Sequence, residues 1–350
     1  MGGRSPVFSV GSLDFEGWMP NDPGKMDVKM NPLHIASRRL DAFGDSVCLR
    51  DPRGRSQAPA LREASLGDGR GWLLEGPCAI LQRYTVTPQQ GLAFVETTRD
   101  DNPIHTEDSV VSGAMIAARI LLLPELLVPS LAVRSVRIKF RAFCRYGLPT
   151  MNRYTLRPDG AGGLDVNFAS FQGGSIVADG CLKTIGSGTS GAKPVGVKPA
   201  AALSSALLEA RCESTETVRR WLRSLNLCPT RTFEAIGRGY PRAFLASLPS
   251  GEMVRHGGAG GLLNVLDLEF PEAGVPDILL HSPPTVELES SRPRNAFRRV
   301  LTKVASGMVT YCRGYATVLL AMLSRDRGFL DKGARLALPP ESLPGTAAKA

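Results

Sequence analysis

The sequence predicts an α+β protein built as two similar halves, each a helix buried against antiparallel strands. Three observations carry this expectation. Residues 112–123, SGAMIAARILLL, are apolar nearly all round, so a helix there must be enclosed on most sides. Strands of alternating character follow it, two of them joined by the hairpin signal Gly173-Gly174. Beyond a Gly, Ser, Pro and Lys-rich stretch at 186–201, the same outline returns without the polar cluster of the first half, as an internal duplication would leave it.

The elements follow in order. Residues 1–70 are rich in Gly, Pro, Asp and Arg and read as an N-terminal extension with one helix over 32–42. Thr87 is the expected N-cap of a short helix over 87–97. The buried helix should stop at Pro124, whose ring and missing N–H oppose its continuation. Over 134–142, Val136, Ile138, Phe140 and Ala142 share one face, while Arg137, Lys139 and Arg141 share the other. Further strands are expected over 152–157, 164–172 and 175–184. In the second half, 257–268 echoes the buried helix and 285–289, 296–306 and 308–320 echo the strands, with a turn at Gly307. The division is a first domain at 71–185, a linker at 186–204, a second domain at 205–335 and a tail at 336–350.

Composition narrows the function classes. The length of 350 residues suits two domains, and 43% hydrophobic residues support packed cores rather than a disordered chain. A net charge of +9 would suit nucleic acid, anionic lipid or a phosphorylated small ligand. No aromatics interleave with the basic residues and no helix-turn-helix or zinc-finger pattern is present, which sets nucleic acid aside. Seven cysteines without a CxxC pair argue against a disulfide framework or a zinc site and for a reducing compartment. The N-terminus has no signal pattern, and the apolar run at 315–323 is too short to span a bilayer, so a cytoplasmic protein without a membrane partner is expected.

The informative stretch is RDDNPIH at 99–105. A surface turn has use for Asp, Asn and Pro but none for the histidine. A histidine can take and give a proton near neutral pH, and a neighbouring carboxylate can orient it or serve as the second acid–base group. Asp100 stands five residues before His105, and Pro103 stiffens the loop between them. Asn102 can brace that loop by bonding to backbone. The adjacent Asp101 is the rival acid, with its side chain expected to point elsewhere. Eight residues beyond His105, Gly113 falls at the start of the buried helix, where unpaired N–H groups can hold an oxygen that gains charge. Acid, base and oxyanion donor in one segment suit addition or removal of water across a double bond conjugated to a carbonyl. The tetrapeptide NPLH at 31–34 is the control: Lys29 stands where the acid would be, and His34 reads as a surface residue.

VTPQQGLAFVETTRDDNPIHTED resembles the MaoC-like, (R)-specific enoyl-CoA hydratase family of the hot-dog fold, whose motif is Asp-x-Asn-Pro-(Ile/Leu)-His-x-Asp. Here the motif ends in Glu107 instead of Asp. IKFRAFCRYG at 138–147 and FQGGSIVADG at 171–180 are similar to the family's following strand and closing hairpin. The resemblance covers about residues 80–185 and implies two hot-dog domains, each a sheet wrapped round a helix, packed as a pseudo-dimer. It implies that Asp100 and His105 carry the acid–base roles, that Asn102 supports the loop, and that Gly113 polarises a thioester carbonyl.

The implied activity is a hydro-lyase acting on 2-enoyl or 3-hydroxyacyl thioesters of CoA or an acyl-carrier protein, without metal or cofactor. A homodimer is compatible with it. The stretch between His105 and Gly113 is shorter than in most relatives, implying a more open pocket, and Ser112-Gly113-Ala114-Met115 has an extra Ala, so the donor is Gly113 or Ala114 beside Ser112. Arg137, Lys139 and Arg141 are the candidates for contact with CoA phosphates or an acidic carrier. Cys144 and Cys181 are expected to be inert core thiols on strands, and His256 and His281 loop residues. The competing readings are a non-catalytic acyl-binding scaffold and a hot-dog thioesterase.

Overall fold

The computed structural model describes residues 33–36, 46–50, 61–66, 69–74, 76–127, 131–186, 205–236, 240–257, 260–271, 284–292, 297–306 and 309–320. The strands are β1 (Leu33–Ala36), β2 (Ser46–Arg50), β3 (Leu61–Leu66), β4 (Gly69–Leu74), β5 (Cys78–Thr85), β6 (Leu131–Phe140), β7 (Pro149–Pro158), β8 (Leu164–Gln172), β9 (Ser175–Gly186), β10 (Leu262–Glu269), β11 (Thr285–Ser290), β12 (Phe297–Ser306) and β13 (Val309–Leu319). The helices are α1 (Pro88–Thr98), α2 (Gly113–Leu127), α3 (Ser205–Ser224), α4 (Pro229–Ile236), α5 (Arg242–Ser247) and α6 (Pro249–Gly257).

Ten strands form one antiparallel sheet in the order β11-β12-β13-β10-β6-β9-β8-β7-β5-β2, and β1-β4-β3 form a small second sheet. The order is symmetric about the β6–β10 seam. In each half a helical segment is followed by four strands of the same connectivity, so β6, β7, β8 and β9 correspond to β10, β11, β12 and β13. Two glycines mark the duplication. A Cβ on Gly180 of β9 would lie 2.0 Å from the Arg137 carbonyl oxygen, and one on Gly314 of β13 would lie 2.0 Å from the Asp267 carbonyl oxygen. Both halves therefore bring the fourth strand so close to the first that no side chain fits. The arrangement is two hot-dog units sharing one sheet, with one core continuous through both.

The seam is built from cross-strand pairs. Val136 faces Leu268 and Ile138 faces Leu266 on the buried side, while Arg137 faces Asp267 on the outer side with 3.7 Å between their charged atoms. The Gly173-Gly174 turn closes β8 onto β9 with φ of 57° and 83°, the left-handed conformation that a tight hairpin needs.

Several expectations are corrected. Pro124 lies inside α2 and does not end it. An internal proline costs about 3 kcal/mol, but Leu121, Leu122, Leu123, Leu126 and Leu127 are all buried around it, each contributing about 1.5–3 kcal/mol, so packing wins. The expected helix over 32–42 is strand β1 at 33–36, paired with β4; the rest of that span lies outside the described residues. The segment expected to echo the buried helix is instead strand β10, bonded on one edge to β13 and on the other to β6. The helical place in the second half belongs to α5 and α6, with α5 packed on α2. His256 sits in α6 rather than a loop. Cys181 is exposed, and Cys144 is buried in the segment after β6 rather than on a strand. The 187–204 part of the linker, the tail after 338, His281 and the His34 side chain fall outside the described residues. Among the described residues no helix is long and apolar enough to cross a membrane.

Candidate active site

The site begins where α1 ends. Thr87 and Gln90 form a reciprocal capping box at its start. Arg99 ends it in the left-handed conformation with φ 55°, and the Asp100 N–H turns back to the Val95 carbonyl at 2.8 Å. This reversal buries Asp100 and leaves Asp101 exposed. Asn102 then caps a short 3₁₀ turn over Pro103–His105, accepting from the Ile104 N–H. One turn of chain thereby returns His105 to Asp100, with 3.2 Å between Nε2 and Oδ2.

The other ring nitrogen fixes the tautomer. His105 Nδ1 lies 2.8 Å from the Val110 carbonyl oxygen, which can only accept, so Nδ1 carries a hydrogen. Nε2 and the carboxylate would then both be acceptors unless a proton lies between them.

Asp100 Oδ2 also accepts from Ser112 Oγ at 3.1 Å and from Ser250 Oγ at 2.6 Å. Burial pushes the Asp100 carboxyl up, but the hydrogen bond and charge of His105, then the two serine hydroxyls, outweigh it and hold the carboxyl below its ordinary value. Oδ1 is buried, with no hydrogen-bond partner among the described residues. Asn102 reaches across to the second half, donating to the Gly261 carbonyl at 2.8 Å and accepting from the Gly260 N–H at 2.9 Å.

These groups border a cavity of about 680 Å³ between the halves. Asp100, His105, Asn102, Ser112, Gly113 and Ala114 all line it. The amides of Gly113 and Ala114 open α2 and have no hydrogen-bond partner among the described residues. Apolar walls come from Ile116 and Phe140 in the first half and from Met253, Leu263 and Leu319 in the second. Arg141 lines the cavity but is tied to Asp179 by bonds of 2.7 and 3.0 Å. Arg137 and Lys139 are exposed on the opposite face of β6 and do not line it. Cys144 also lines the cavity, and burial pushes its thiol up to about 11, which keeps it un-ionised at neutral pH. Among the described residues no group of three or more His, Cys, Asp or Glu side chains could hold a metal ion.

The whole second-half contribution escaped the sequence reading. Ser250, Met253, Gly260 and Gly261 carry no local pattern that points to the motif, and the Ser250–Asp100 contact spans 150 positions. Only the expectation of a paired second half hinted at it.

No protein-family model matches the sequence, and no curated protein matches it. Solved structures do. The chain is similar to a MaoC-like dehydratase at 10% identity, with a TM-score of 0.48 over 71% of this chain and 96% of that one. It is similar to a putative thioesterase from Novosphingobium aromaticivorans at 14% identity, with a TM-score of 0.41 over 75% of this chain and 98% of that one. It is also similar to a MaoC-like dehydratase from Phytophthora capsici at 11% identity, with a TM-score of 0.44 over 70% of this chain and 95% of that one.

Proposed function

We propose that the chain adds water across the C2–C3 double bond of a 2-enoyl thioester and catalyses the reverse dehydration of a 3-hydroxyacyl thioester. The observation that carries this reading is the 3.2 Å approach of His105 Nε2 to Asp100 Oδ2 beside the α2 amides that have no partner among the described residues. In hydration, the oxygen of water bonds to C3 and a proton arrives at C2. The Asp100–His105 pair removes one proton from the water and returns one to C2, so it ends the cycle as it began. Negative charge that develops on the thioester oxygen meets the amides of Gly113 and Ala114 at the positive end of α2.

Ser112 serves the chemistry through Asp100, since its hydroxyl is given to Oδ2. The apolar walls at Ile116, Phe140, Met253 and Leu263 suit an acyl chain, which would lie between the two halves. Arg141, which lines the cavity, is the candidate contact for the substrate's carrier, CoA or an acyl-carrier protein.

The test is direct. The full chain is mixed with crotonyl-CoA and longer 2-enoyl-CoA thioesters, following loss of the conjugated absorbance and, separately, release of free thiol. Loss of absorbance without thiol release supports hydration. Thiol release with the double bond intact supports the thioesterase reading instead. Binding without either change supports an acyl-binding scaffold.

A further inference from the structure

The acid–base motif belongs to the first half, yet its carboxylate is held from the second. Ser250 is the second residue of α6, and its Oγ donates to Asp100 Oδ2 at 2.6 Å, against 3.1 Å for Ser112 Oγ and 3.2 Å for His105 Nε2. A serine at a helix start commonly turns its hydroxyl to its own backbone; this one is turned outward to the acid.

Two contacts further along the chain enforce the seating of Ser250. A Cβ on the next residue, Gly251, would lie 2.2 Å from the Arg99 carbonyl oxygen and 2.6 Å from that of Thr98, so α6 rests directly on the end of α1. Beyond α6, Asn102 holds the Gly260 N–H and the Gly261 carbonyl. The chain that carries Ser250 is thus fixed to the Thr98–Asn102 segment at two places, Gly251 and Gly260–Gly261. The first turn of α6 also lies beside the carboxylate, where the helix dipole favours negative charge.

We propose that Ser250 is a positioning residue of the site: its hydroxyl fixes the Asp100 carboxylate and makes the second half, which has no Asp-x-Asn-Pro-x-His of its own, part of the catalytic unit. This rests on the acid–base reading of Asp100 given above. Two serine hydroxyls and the histidine ring converge on Oδ2, while Oδ1 has no partner among the described residues. Loss of the shortest of them, from Ser250, would let the carboxylate rotate and would ease its protonation.

The test uses the full chain with Ser250→Ala, Ser250→Thr and Ser250→Cys, and crotonyl-CoA as the probe. Ser250→Ala should lower kcat about tenfold with KM near the wild-type value. The acid limb of its kcat profile should move to higher pH, because a carboxylate that loses a donor protonates sooner on the way down. Ser250→Thr, which keeps the hydroxyl, should restore both.

A second measurement does not need turnover. In chain labelled with ¹³C at the aspartate carboxyls, the Asp100 signal, assigned by its absence in Asp100→Asn, should titrate at higher pH in Ser250→Ala. An unchanged kcat and acid limb overturn the proposal. So does a lower kcat with an unmoved carboxyl titration and no rescue by threonine, which would mark a purely structural contact. If the wild type leaves enoyl thioesters untouched, the reaction assignment fails and the carboxyl titration alone decides the role of Ser250. Should Ser250→Ala melt far below the wild type, Ser250→Cys, of similar volume with a weaker donor, takes its place in both measurements.

Discussion

His105 Nδ1 lies 2.8 Å from the carbonyl oxygen of Val110, and this contact leaves Nε2 as the ring nitrogen that meets Asp100. The Val110 N–H in turn donates to the Ile104 carbonyl at 3.2 Å, so the five residues between them form a closed brace. With Nδ1 committed, Nε2 alone faces Asp100 and the cavity. The expected ¹⁵N spectrum has a proton-bearing Nδ1 at His105, assigned by comparison with His105→Ala. A bare Nδ1 would contradict this tautomer.

Gly251→Ala tests the seat of α6. The added methyl meets backbone oxygens of Thr98 and Arg99, which cannot swing aside as a side chain could. It should therefore push α6 from α1 and carry Ser250 away from Asp100. The variant should lose about 2–4 kcal/mol of stability in denaturant unfolding and lose activity more than tenfold. Wild-type stability and turnover would show that the two helices are free to part.

Glu125 in α2 gives the fold its own pH dependence. Burial pushes its carboxyl up from 4.5 to about 7, opposed by the buried Arg242 of α5. The sign follows from proton counting. Between pH 4.5 and about 7 the folded chain keeps a proton that the unfolded chain has released. Stability contributed by this group is therefore full below 4.5 and declines by about 3 kcal/mol as pH rises through about 7. Glu125→Gln, which keeps the neutral shape, should flatten that decline in melts taken from pH 5 to 8. Parallel curves for the two proteins would contradict it.

Local chemistry was legible in the sequence where one segment settles its own conformation. Thr87 with Gln90 announces α1, Pro103 announces the stiff turn, and Gly173-Gly174 announces the hairpin. The alternation of Val136 and Ile138 with Arg137 and Lys139 places β6 correctly. Legibility fails where distant partners decide. LLNVLDL at 262–268 has apolar residues at 262, 263, 265, 266 and 268, which fit a helix face as well as a strand. Hydrogen bonding along both edges, to β6 and β13, resolves it as β10. Pro124 misleads for the opposite reason, since its local cost is outweighed by leucines that a helix alone could not show to be buried. The basic stripe of β6 was legible as a stripe, but Asp267 and Asp179 opposite Arg137 and Arg141 come from other strands.

The most direct test compares wild type, Asp100→Asn and His105→Ala in the hydration of a 2-enoyl-CoA that the wild type accepts, all three with matched melting curves. The expected result is turnover in the wild type and a fall of at least about 100-fold in kcat in each variant. Equal turnover in all three proteins would remove Asp100 and His105 from the chemistry.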